Sequence, residues 1–87
     1  MNLLPKDIAK KLKSKGCWTD MITTTHALKW LREERKLHII IPAYDINEYW
    51  WEIVNFNKNI SEYYDGICYS YEEAAISAIE YCLNNIL

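Results

Sequence analysis

The 87 residues predict an α+β fold, a two-layer domain in which a three-stranded antiparallel meander carries helices packed on one face, in the order ααβββα. Three observations predict it. Apolar residues recur at helical spacing twice before residue 37 and once after residue 70. Between them lie short β-branched and aromatic runs, bounded by Asn, Asp and Pro. The turns joining those runs are short, so the strands double back on one another as a meander. With 51% apolar residues and only two glycines, the composition is that of a single folded domain over 1–87, not of a linker or a disordered tail.

Pro5 suits a first helical position, Leu4, Ile8 and Leu12 repeat every four residues, and Gly16 ends the run, so the first helix spans about 5–15. Lysines cover most of the rest of its surface. The stretch CWTDMITTT is aperiodic and reads as a connection, after which Thr24 or Thr25 caps a second helix through HALKWLREERK. Ala27, Trp30 and Leu31 form its buried stripe, and Lys29, Arg32, Glu33 and Lys36 stay wet.

LHIIIPAY is the first strand, and Pro42 puts its end at an edge or outside the ladder. DIN turns the chain into a second strand, EYWWEIVNF. NKN, at 57–59, is a hairpin turn because Asn tolerates left-handed backbone, and ISEYY pairs back as a third strand. After DGICYS the last helix opens on Ser70 and Glu73, an S-x-x-E capping box, with Glu72 and Glu73 at the positive helix end. Glu73, Ser77, Glu80 and Asn84 mark its wet face, and Ala75, Ile79, Cys82, Leu83 and Ile86 its buried one.

Adjacent Trp50 and Trp51 must point to opposite faces of the sheet. Tyr49, Trp51, Ile53 and Asn55 share one face, Trp50, Glu52, Val54 and Phe56 the other. Burying the second set would place an unpaired carboxylate in the core, so the first set faces inward. In the first strand the same reasoning turns His38 and Ile40 outward and keeps Leu37, Ile39 and Ile41 inside. The outer face then carries Ile40, Trp50, Val54 and Phe56, ringed by His38 and Glu52. A contiguous apolar patch with a central tryptophan has the composition of an interface anchor. Two occupants are open at this point: another molecule, or the chain's own first helix or terminus.

Charge is divided unevenly. Residues 1–40 hold nine Lys/Arg and four acids, and residues 41–87 hold Lys58 and eight acids, although the net is only −2. Such polarity steers charged partners or neutralises itself within the fold. Nucleic acid is therefore the alternative partner, met through Lys10, Lys11, Lys13, Lys15, Arg32 and Arg35. The order of residues 24–87 also follows that of double-stranded RNA binding domains. Those domains present lysines at the start of the last helix, where this chain has Tyr71, Glu72 and Glu73, which repel phosphate.

The residues for catalysis are thin. His26 and His38 have no third group at a spacing that makes a triad or a zinc site, so no metal and no cofactor is expected. Gly16 and Gly66 cannot build a phosphate-cradling loop. Cys82 reads as a small core residue, and Cys68, just before a helix N-terminus, could carry some thiolate character. An enzyme is not expected. The odd number of cysteines, the absence of an apolar leader and the absence of eighteen consecutive apolar residues together lead to an expectation of a soluble, cytoplasmic protein.

The segments HALKWLREERKLHIIIPAY, YYDGICYSYEEAAISAIEYCL and DIAKKLKSKG resemble a group of small uncharacterised proteins of gut Bacteroidetes, their phages and mobile elements. Longer members of that group carry an extra hairpin between the first two helices, for which CWTDMITTT is too short. The resemblance implies no activity, cofactor or binding residue. ICYSYEEAAISAIEYCL is also similar to the last strand and helix of HicB-type antitoxins, which points toward small protein-binding modules. The sequence thus leads to a non-enzymatic interaction module that binds a protein partner or itself through Ile40, Trp50, Val54 and Phe56.

Overall fold

In a computed structural model of the chain, residues 4–17, 23–64 and 66–87 are described. Most of CWTDMITTT, the start of the opening segment and Asp65 lie outside these residues. The elements run α1 (Lys6–Ser14), α2 (Thr24–Glu34), β1 (Leu37–Ile40), β2 (Ala43–Asp45), β3 (Glu48–Tyr49), β4 (Glu52–Asn55), β5 (Ile60–Tyr63) and α3 (Tyr71–Tyr81), and a π-helical turn over Cys82–Ile86 closes the chain. The architecture is α+β. Its main sheet has the antiparallel order β1-β4-β5, and β2 and β3 form a second, two-stranded sheet.

The extra sheet corrects the expected pair of unbroken strands. From Leu37↔Asn55 to Ala43↔Tyr49 the partner numbers keep one constant sum, so β1 and β2 face β4 and β3 as two arms of a single hairpin. Pro42 has no N–H to give and interrupts the ladder where it falls. Its carbonyl still accepts the backbone N–H of Trp50 at 3.1 Å, which holds the arms together across the gap. Near the tip the register shifts between Ala43 and Asp45, and the turn expected at 45–47 follows. On its other side Tyr49 exchanges two 2.8 Å backbone hydrogen bonds with Cys68, so the segment before α3 is clipped to the hairpin.

Helix ends follow the sequence closely, with one displacement. The N-cap of α2 is Thr23, whose hydroxyl accepts from the His26 N–H at 3.1 Å, in place of Thr24 or Thr25. Thr24 is buried instead and donates to Glu72 on the first turn of α3, tying two helix starts together. The capping box of α3 forms: the Ser70 hydroxyl accepts from the Glu73 N–H at 3.0 Å. The Glu73 carboxylate reaches the N–H of Tyr69, one residue before the cap, at 2.9 Å. At the far end of α2, Lys36 adopts φ 58° and turns the chain directly into β1.

The buried side chains form one cluster. It joins Leu4, just before α1, and Ile8 and Leu12 of α1 to Leu31 of α2, to Leu37, Trp51 and Ile53 of the hairpin, and to Ile79 of α3. The stripe of α1 is therefore spent on the same core that the inner sheet face enters. No helix among the described residues is long and apolar enough to cross a membrane.

Candidate interaction face

Trp51 and Trp50 part as the Glu52 argument requires. Trp51 is 3% exposed and sits in the core. Tyr64 stacks on it at 5.6 Å, Tyr81 tilts against it at 5.2 Å, and its indole N–H donates to the Ser77 hydroxyl at 3.0 Å. Ser77 is thus a core partner and not simply part of the wet face of α3. Trp50, Val54 and Ile40 are not part of the core cluster or of the layer packed against it.

Two tyrosine rings lie against Trp50. Tyr44 stacks on it at 5.9 Å from the hairpin tip, and Tyr63 meets it edge-on at 6.4 Å from β5. Tyr44 and Tyr63 are 58% and 66% exposed, and Trp50 is half-buried between them. Below this row, Glu52 stands in direct register between Ile40 and Tyr63, and Val54 between His38 and Ser61. Phe56 stands apart from the aromatic row. It lies in the β4–β5 loop, where its N–H donates to the Lys36 carbonyl, roughly 20 Å along the chain from Trp50 at strand rise.

Tyr44 and Tyr63 were not legible as site residues. Tyr63 is placed by loop length: the turn takes four residues, 56–59, so Asn55 faces Ile60 and Tyr63 comes to the outer face. A three-residue turn at 57–59 would shift the register by one and send Tyr64 there instead. Gly66 secures the alternative found, because a Cβ on it would meet the Tyr64 ring at 2.6 Å, where that ring packs back toward Trp51.

The six basic residues of the nucleic-acid reading have different fates. Lys10, Lys11, Lys13 and Lys15 lie exposed on or just after α1, with Lys11 3.4 Å from the Asn84 side-chain oxygen. Arg32 pairs with Glu33 at 3.6 Å on the surface. Arg35 is drawn inward, lying 5.2 Å over the Trp30 ring and donating to the Lys15 carbonyl at the end of α1.

All three cysteines are buried. Burial, aided by the charge of Glu73, pushes the Cys68 thiol up, the reverse of thiolate character at that position. Burial, with Glu62 adding, carries Cys82 up to about 12. The Tyr81 phenol is also raised, first by its 3.1 Å hydrogen bond to the Glu62 carboxylate. Among the described residues, no three His, Cys, Asp or Glu come together as a metal site would need. No protein family, curated protein or solved structure matches this chain.

Proposed function

We propose that the protein is a small, non-enzymatic interaction module that binds a protein partner, or a second copy of itself, through the outer face of its sheet. The observation that carries this reading is the row Tyr44, Trp50, Tyr63: Trp50 with a tyrosine ring on either side, both tyrosines more than half exposed, beside exposed Ile40. Clustered aromatic area at the centre of an apolar surface is the usual source of binding energy at interfaces. We read the domain as two layers with all helices on the inner side. Its shortest extent of 18 Å supports that, since sheet and helix layers stack about 10 Å apart.

Light scattering on the wild type and Trp50→Ala over a range of concentrations tests the reading. A mass that rises with concentration in the wild type and not in the variant identifies self-association, whereas a monomeric wild type leaves a different protein as the partner. The variant should unfold within about 1.5 kcal/mol of the wild type, because Trp50 contributes aromatic contacts outside the core. A Trp50→Ala chain that fails to fold would make the ring a core residue and end the proposal.

Nucleic acid remains the second reading on one observation, the exposed lysines of α1. It requires a shift with duplex or single-stranded RNA or DNA at low salt that weakens steeply as salt rises.

A further inference from the structure

Glu52 is half-buried on the outer face, in direct register between Ile40 on one side and Tyr63 on the other. Among the described residues, no hydrogen bond or ion pair engages its carboxylate. A carboxylate placed between an isoleucine and a tyrosine has no oppositely charged neighbour in register with it. The ring of Tyr63 in turn touches Trp50, and Trp50 touches Tyr44, so a negative charge stands at one end of a row of π faces.

Among the described residues, no cation pairs with Glu52. From residue 37 to residue 87 the only Lys or Arg is Lys58, which lies in the β4–β5 loop, beyond the end of β4 remote from Trp50. His38 is on the same face, but it stands opposite Val54 and not opposite Glu52. Asp45 and Glu48, on the hairpin that carries Tyr44 and Trp50, add to the negative charge. A cation over an aromatic ring is attracted by the ring quadrupole, and a neighbouring carboxylate adds a charge-assisted hydrogen bond. Arg35 over Trp30 is the same ring contact made within the chain.

We propose that the partner of this face is a basic segment of another protein, whose arginine or lysine side chain seats on the Tyr44–Trp50–Tyr63 row beside the Glu52 carboxylate. The inference rests on the outer face being an interface and adds the chemistry of its partner. Phosphate-bearing partners are disfavoured here by the same acids. A second copy is disfavoured as well: its lysines and arginines, apart from Lys58, lie on or just after α1 and α2 and not on the strands of this face, so the contact would join two different surfaces of the two copies.

The test is a nuclear magnetic resonance titration of the full chain with a short peptide of alternating arginine and valine, and with its lysine and glutamine counterparts. The arginine and lysine peptides should shift the Trp50 indole resonance and the amides of Ile40, Glu52 and Tyr63. The glutamine peptide should bind roughly tenfold more weakly. Glu52→Gln should weaken the arginine peptide about threefold to tenfold with thermal unfolding unchanged, and so provides a readout that does not depend on how Trp50→Ala folds. If the glutamine peptide binds these residues as tightly as the arginine peptide, the cationic inference is overturned and the interface reading stands. If the same resonances move only with the protein's own concentration, a second copy is the occupant and the inference again falls. If nothing moves them, the cationic inference falls, and the interface reading is decided by the Trp50→Ala comparison alone.

Discussion

The indole N–H of Trp51 is a polar group that the core must satisfy to hold so large a ring, and Ser77 does so at 3.0 Å. Replacing Ser77 by Ala leaves that N–H without a partner, so Ser77→Ala should lower stability by about 1–2 kcal/mol in urea titrations. Trp51→Ala should cost about 3–5 kcal/mol, the usual range for emptying a buried aromatic site. An unchanged urea midpoint for Ser77→Ala would mean that water replaces the hydroxyl and that the bond contributes nothing. The orientation of both tryptophans was readable from one neighbour, because Glu52, two residues along from Trp50, fixes which face is wet. The role of Ser77 was not readable: helical spacing groups it with Glu73, Glu80 and Asn84, and a hydroxyl at the margin of a stripe serves either side.

At the level of elements, the helices were legible because their end signals are chemical. Ser70 and Glu73 mark the start of α3, and the structure forms both bonds of the box with only the carboxylate's target moved by one residue. Three consecutive threonines blur the same signal at α2, since each could accept an N–H from the first turn. Burial decides among them: Thr24 is turned inward to Glu72, which leaves Thr23 outside as the cap. Thr23→Ala should therefore cost about 1 kcal/mol in thermal or urea unfolding, and Thr25→Ala, an exposed position, should stay within about 0.5 kcal/mol. Equal losses at the two positions would contradict the assignment. Strands were less legible than helices, because a strand's face depends on partners outside it. Pro42 divides an arm whose sequence is otherwise strand-like, and one residue in the β4–β5 loop exchanges Tyr63 for Tyr64 on the outer face. Tyr63 was lost from the candidate site in that one-residue ambiguity.

Over the whole molecule the polarity of the sequence becomes a polarity of parts, with lysines on α1 and acids on the strands and α3, and proton binding shows a common direction as well. Cys68, Tyr81 and Cys82 all hold their protons more tightly when folded than a free side chain would. Each is neutral in the fold and becomes an anion when the unfolded chain is titrated, so above the ordinary thiol value of 9.0 the unfolded state binds fewer protons than the native one and stability falls as pH rises. For Cys82 the loss starts near that value and continues to about 12. Its slope is about 1.4 kcal/mol per pH unit, so roughly that much is gone by one unit above the start. The thiol is fully buried, with burial as the main cause and Glu62 as a lesser one, so removing the thiol removes its share of the slope. Cys82→Ala should be about 1 kcal/mol less stable than the wild type at neutral pH, from the volume lost. Its urea midpoint should then decline less between about pH 9 and about pH 10.5, so the two stability curves converge as pH rises. Parallel curves across that interval would show that the alkaline loss belongs to other groups and that Cys82 does not titrate against the fold.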